Sequence, residues 1–255
     1  YFYDDTLNSV YFTDANTGYV VGNAGKITKT SDCGTNWVIL ASGTIENLYS
    51  VYFTDAYAGY VAGTHGKILK TTNSGTNWDT LTSGTSNSLT SVYFTDASTG
   101  YIVGQFGTIL KTTNSGINWT TQHKPNDSGL KSVHFINGDT GYICGTENIF
   151  KTTDGGANWL NPIESLGGAV VQFYSVHFID AYVGYASVWD GIYKSIDGGI
   201  NWVKEDLRQL VFFNGLSSME FVIENNTAVG FAVGDEILRT SFEYFGGEPI
   251  GNSGN

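Results

Sequence analysis

The sequence predicts an all-β fold, a six-bladed β-propeller of four-stranded antiparallel blades. Three observations predict it: one block of about forty residues recurs six times, each copy reads as four short strands, and one hairpin signature closes five of the copies. The pair Gly-Tyr sets the register at Gly18, Gly59, Gly100, Gly141 and Gly184, with Gly230-Phe231 in the last copy. Their spacings of 41, 41, 41, 43 and 46 residues are nearly constant and then drift. A period in that range signals a solenoid, a propeller or an array, and the content of the repeat decides which.

The second copy shows the elements in order. Ser50-Val51-Tyr52-Phe53-Thr54 is β-branched and aromatic, and Asp55-Ala56-Tyr57-Ala58 turns the chain. Gly59-Tyr60-Val61-Ala62-Gly63 follows, then a turn at Thr64-His65-Gly66 and a third strand from Lys67 to Thr71. A hairpin leads to Trp78 and a last strand ending near Thr82. Runs of about five residues punctuated by Gly, Asn, Asp and Ser leave no room for a helix of ten or more. Four antiparallel strands per repeat make one propeller blade.

The hairpin before each Trp has its own pattern. It reads Thr30-Ser31-Asp32-Cys33-Gly34-Thr35-Asn36-Trp37 in the first copy, with Asn73 to Trp78 and Asn114 to Trp119 in the same places of the next two. The fourth and fifth copies are stricter, Asp154-Gly155-Gly156-Ala157-Asn158-Trp159 and Asp197-Gly198-Gly199-Ile200-Asn201-Trp202. A short Asp or Asn side chain accepts backbone N–H bonds, Gly takes a positive φ and Trp folds back as an apolar plug. Asp32, Asn73, Asn114, Asp154, Asp197, Trp37, Trp78, Trp119, Trp159 and Trp202 are thus expected to be structural, and none is read as catalytic.

These residues match the Asp-box of the bacterial neuraminidase repeat, and the chain resembles Asp-box β-propellers over nearly its whole length. With Ser-Val-x-Phe and Gly-Tyr ahead of the box, it is similar to the photosystem II stability and assembly factor family and to secreted repeat proteins of Bacteroidetes. The resemblance implies scaffolding or protein binding rather than turnover. The family is expected to use an Arg-rich patch, and here the chain departs from it, with only Arg208 and Arg239.

Six such copies predict a single propeller over residues 1–245, with blades at roughly 8–46, 47–87, 88–129, 130–172, 173–215 and 216–245. Residues 1–7 are expected to help close the ring, since closure removes exposed sheet edges. The sixth copy lacks the Asp and Trp of the box, as terminal repeats often do. Residues 246–255 have linker composition.

Charge and composition narrow the function. A net charge of −12 with only 12 basic residues offers little attraction for phosphate backbones, so nucleic-acid binding is not expected. Half of those basic residues occupy one repeated slot, Lys29, Lys70, Lys111, Lys151, Lys194 and Arg239, which disperses them. No apolar run reaches eighteen residues, so no span of a membrane is expected. The composition and the opening at Tyr1 read as a mature or truncated exported product, secreted, periplasmic or on the surface of a bacterium. Cys33 and Cys144 fall in different elements of distant copies, and two free thiols are expected.

Catalytic readings weaken residue by residue. Sialidases of the Asp-box group hold the substrate carboxylate with three arginines, and this chain has two. Asp14, Asp55, Asp96 and Asp180 recur at one place in the repeat, which predicts turns rather than a paired-carboxylate glycosidase site. His134 and His177 replace Tyr11, Tyr52 and Tyr93 in the first strand, and with Glu220 at the same position they are the candidate metal ligands. The competing reading is a set of partly buried polar residues bonded to their neighbours. No cofactor motif is present in a fitting context.

Binding is expected where the copies differ. The turns between second and third strands read Asn23-Ala24, Thr64-His65, Gln105-Phe106, Thr146-Glu147 and Trp189-Asp190, varying while their flanks stay constant. Later connections become apolar, from Leu166 to Phe173 and from Leu207 to Phe213. Clustered exposed apolar groups mark interaction sites. The expected binding residues are therefore Trp189, Phe173, Arg208, Phe212 and Phe213, with Phe106 and His65 beside them; the competing reading has both apolar connections extend the first strand of the next copy and pack inside. The sequence thus points to a non-catalytic binding or scaffold propeller with a protein partner. A glycan-binding propeller is the first alternative, and a glycoside hydrolase or lyase the second.

Overall fold

The computed structural model describes residues 6–123, 128–161, 171–205, 218–224, 227–233 and 237–243, the last three segments as backbone. Two compact units divide the chain, Tyr1–Val133 and His134–Asn255.

Among the described residues the strands form six antiparallel sheets, each from strands consecutive in sequence. The first is Leu7–Phe12, Gly18–Gly22, Ile27–Thr30 and Val38–Leu40, and the second is Leu48–Phe53, Gly59–Gly63, Ile68–Thr71 and Asp79–Leu81. The third is Leu89–Phe94, Gly100–Gly104, Ile109–Thr112 and Thr120–Thr121. Phe173–Phe178, Gly184–Val188, Gly191–Ser195 and Val203–Lys204 make the fifth, and Ser218–Glu224, Thr227–Val233 and Ile237–Glu243 the last. The fourth departs from the expected four strands. It has Leu130–Phe135, Gly141–Gly145 and Ile149–Thr152, and its outer strand is reduced to one bridge between Lys151 and Leu160. Outer strands of two or three residues leave little free edge for unwanted pairing.

The core follows from which faces the strands bury. In Gly59–Gly63 every residue is buried, whereas in the outer Asp79–Leu81 the first two residues face water and Leu81 packs against the core. In the first unit Phe53 of the second sheet stacks on Tyr19 of the first at 4.1 Å, and Trp78 meets Phe53 edge-on at 6.1 Å. Phe94, Tyr60 and Trp119 repeat the arrangement one sheet later, at 4.1 and 6.1 Å. In the second unit Phe178 stacks on Tyr142 at 3.6 Å, with Trp202 edge-on at 5.7 Å. The Gly of each Gly-Tyr pair has a steric cause: a Cβ on Gly59 would lie 2.5 Å from the Phe53 ring.

A clasp between neighbouring sheets accompanies each stack. Tyr19 Oη and Lys29 Nζ both donate to the Ser74 carbonyl, at 3.0 and 3.1 Å. Tyr60 and Lys70 converge in the same way on Ser115 (2.9 and 2.7 Å), and Tyr142 and Lys151 on Gly198 (2.9 and 2.7 Å). Each ammonium also lies over the ring of its Tyr, 5.3–5.4 Å from the centroid. Burial lowers the pKa of Lys70 and of Lys151, yet each keeps a carbonyl acceptor.

One surface breaks the pattern. Leu48, Val51 and Phe53 are buried under the preceding sheet, but their counterparts Leu7, Val10 and Phe12 are 57, 57 and 44% exposed. Trp37 packs edge-on against Phe12 at 6.3 Å and is exposed too.

The predicted hairpins form as read. Asp32 Oδ1 accepts the Asn36 backbone N–H at 2.8 Å and the Thr30 hydroxyl at 2.8 Å, while its Oδ2 accepts Asn36 Nδ2 at 2.7 Å. Asp154 and Asp197 repeat these bonds, and Asn73 and Asn114 accept the corresponding backbone N–H at 2.9 and 3.0 Å. The box glycines Gly34, Gly75, Gly116, Gly156 and Gly199 all have positive φ. The earlier acidic turn is equally regular: Asp14, Asp55, Asp96 and Asp180 each accept two backbone N–H groups through Oδ1. Cys33, exposed, and Cys144, buried, are not in a disulfide.

Candidate functional site

The turns between second and third strands are built on a fixed frame. Ala24, His65 and Phe106 sit at their tips with φ of 53, 53 and 55°. That left-handed conformation is unfavourable for residues other than Gly, so the surroundings must hold it. The following Gly supplies the anchor: Gly25, Gly66 and Gly107 donate to the carbonyls of Glu46, Asn87 and Ser128 at 2.8, 2.9 and 2.8 Å. A Cβ on Gly66 would come within 1.9 Å of the Thr85 oxygen, so the anchor admits nothing larger. The tip side chain is therefore presented identically whatever it is. Phe106 is 63% exposed. His65 Nδ1 lies 2.7 Å from Glu46 Oε2, which also accepts the Thr64 hydroxyl at 2.5 Å. The Thr64 bond, then the imidazole, holds the Glu46 carboxyl below the usual carboxylate range.

In the second unit the corresponding turns carry Glu147, at φ 77°, and Trp189-Asp190. Trp189 is 56% exposed, with Tyr174 tilted beside it at 6.5 Å. Next to it the Lys204 ammonium pairs with Asp190 at 2.8 Å, and Tyr174 Oη donates to Gln172 at 3.3 Å. The result is an exposed indole flanked by a second ring and rimmed by polar groups, the composition typical of binding anchors.

The sequence-predicted residues divide accordingly. Phe106 and His65 are exposed at left-handed turns of one geometry, and Trp189 is exposed at the shorter turn between the second and third strands of its own sheet. Phe173 is a correction: it is fully buried, because it opens the first strand of its sheet at the position of Leu48 and packs among Tyr142, Cys144 and Val188. Arg208, Phe212 and Phe213 lie outside the described residues, as does the side chain of Glu220. His134 and His177 are brought together, their rings 4.3 Å apart and tilted by 36°. His134 Nε2 lies 3.1 Å from the Phe178 carbonyl, a geometry that requires the proton on Nε2. Burial pushes the pKa of His134 down to about 4, and burial followed by the neighbouring His134 pushes that of His177 well below its ordinary value. Among the described residues no three His, Cys, Asp or Glu side chains are arranged to hold a metal ion.

Sequence reasoning missed the clasp. Its signal was the repeated Lys slot, which the ladder places directly opposite Tyr: Lys29 against Tyr19, Lys70 against Tyr60 and Lys151 against Tyr142. No helix among the described residues is long and apolar enough to cross a membrane.

Repeated four-strand sheets, Asp-box hairpins and variable turns on a constant frame define an Asp-box β-propeller. The chain belongs to the family of the photosynthesis system II assembly factor YCF48, whose sequence profile matches residues 3–82, 39–121 and 71–205. No curated protein sequence matches the chain. Among solved structures it is similar to a YCF48 bound to D1 peptide, at 18% identity and a TM-score of 0.53, covering 92% of this chain and 91% of that one. YCF48 from Cyanidioschyzon merolae is also 18% identical, with a TM-score of 0.60 and coverage of 93 and 95%. An ancestral GH74 enzyme reaches a TM-score of 0.78 at 17% identity, over 93% of this chain and 36% of that one. At these identities the likeness is one of fold.

Proposed function

We propose that the protein is a non-catalytic assembly or scaffold module that captures a segment of a partner protein at the second-to-third-strand turn that carries Trp189, with that indole as the anchor. The observation that carries this reading is the exposed Trp189, with the Tyr174 ring beside it and the Lys204–Asp190 pair at the next residue of its turn. Membership in the YCF48 family supports it, and one YCF48 is solved with a bound peptide. The recurring carboxylates support the non-catalytic part, because Asp14, Asp55, Asp96 and Asp180 are occupied as turn acceptors. Six sheets at one repeat support a count of six blades over residues 1–245, with 246–255 as a linker. Composition supports export to the periplasm or cell surface, which fractionation of the native source tests.

The binding reading is tested by affinity capture from the native source with wild-type protein and with W189A. A partner held by wild type and released at least tenfold faster by a W189A protein of unchanged melting temperature bears it out. A partner retained equally by both places the binding surface elsewhere.

A further inference from the structure

The turn that follows the first strand of each sheet is spelled differently in one copy. It reads Asp14-Ala15, Asp55-Ala56, Asp96-Ala97 and Asp180-Ala181, but Asn137-Gly138 after Leu130–Phe135. Asn137 performs the task of its counterparts: its Oδ1 accepts the backbone N–H of Asp139 at 2.9 Å and that of Thr140 at 2.7 Å. Four copies make this turn with a carboxylate, so the amide is not required for it. Nor is the glycine. Gly138 is outside the left-handed region, and a Cβ on it would meet nothing within 4 Å. Neither replacement serves the turn, yet together they form the pair in which an asparagine side chain reacts most readily with its own backbone.

We propose that Asn137 is a self-deamidation site, where water displaces the side-chain amide and leaves the aspartate that the other four turns already carry. In the first step the Gly138 nitrogen loses its proton to solvent base and bonds to Asn137 Cγ. The Cγ–Nδ2 bond breaks, and ammonia leaves with a proton from water. In the second step water adds to Cγ of the resulting cyclic imide, the new Cγ–N bond breaks and the nitrogen recovers its proton. The balance is amide plus water giving carboxylate plus ammonium, with no oxidant or cofactor.

Three features of the turn support the reaction. Residues 137–139 are all exposed, so water and base reach them. The Gly138 N–H makes no hydrogen bond to a described residue, so the attacking nitrogen is unengaged. And the charge that builds on Oδ1 in both steps falls where two backbone N–H groups already donate. Asn73 and Asn114 differ in the second respect. The amides that follow them, of Ser74 and Ser115, donate to the Tyr57 and Ser98 carbonyls at 3.0 and 2.9 Å. Each event at Asn137 adds one negative charge beside the exposed Asp139.

The test incubates the folded protein in mildly alkaline buffer and follows each asparagine by tryptic peptide mapping with mass spectrometry. Asn214-Gly215, which lies outside the described residues, falls on a different peptide and is scored separately. Asn137 is expected to convert about tenfold faster than Asn73 or Asn114, because an engaged amide must first give up a hydrogen bond. G138A, which installs the Ala of the other copies, should bring Asn137 to the slow rate of those two sites. N137D should melt within about 2 °C of wild type, since both N–H donors keep their acceptor. Conversion of Asn137 no faster than that of Asn73 and Asn114 overturns the proposal. So does an unchanged rate in G138A, and so does conversion seen only in urea, which would assign it to the unfolded chain. A product that is chiefly isoaspartate overturns it as well, since the ring would then open at the backbone carbonyl, away from the two donors.

Discussion

Residues 6–133 and residues 134–205 are built from one repeat and have diverged in different parts of it. In the first unit the sheets are near copies, with inner strands LNSVYF, LYSVYF and LTSVYF and turn tips of identical backbone geometry. In the second, the turns are a residue shorter, the outer strand of one sheet shrinks to a bridge, and Tyr gives way to His on the inner strands. What both retain is the Phe–Tyr–Trp stack and the clasp of Tyr and Lys on one carbonyl. The stack and the clasp between sheets are held constant, and variation falls on the turns, the outer strands and the inner column.

Substitution at equivalent positions would break or sharpen that comparison. The largest effect is expected from F53A and F178A, which empty the stack in each unit. Each should cost about 3–5 kcal/mol, measured by urea unfolding. Values differing by more than about 1.5 kcal/mol would show that the two stacks are not equivalent. K70M and K151M should each cost about 1–2 kcal/mol, because each removes a charged donor and a cation–π contact while leaving Tyr on the carbonyl. A loss in one unit alone would make the clasp local rather than general. F106A and W189A should change stability by less than about 0.5 kcal/mol, since both side chains face water. A larger drop for W189A would mean that the indole supports the Lys204–Asp190 pair.

The sequence was most legible where one side chain completes a structure by itself. Asp32 with its Asn36, or Asp55 two and three residues before the amides it accepts, can be read within a few residues. The clasp was not legible, because the carbonyl that Lys29 reaches belongs to Ser74, 45 residues on. Burial was ambiguous for the same reason. LNSVYF and LYSVYF have the same pattern, yet Leu7, Val10 and Phe12 face water while Leu48, Val51 and Phe53 do not, since cover comes from another sheet. Phe173 could have been placed by register with Leu48, but the apolar run before it suggested a sticky loop. Trp189 was legible as an exposed turn residue because it stands where the copies vary between constant flanks. Tyr174 as its neighbour was not, being set by a cross-strand approach.

The left-handed tip followed by its anchored Gly has a practical consequence. Ala24, His65 and Phe106 share one backbone conformation although their side chains have nothing in common. The three-residue turn therefore behaves as a cassette: 105–107 can replace 64–66 with the incoming residue already in its presenting geometry. The side chains presented by these turns can be exchanged one turn at a time, by selection in nature or by a library in the laboratory, without renegotiating the fold beneath them.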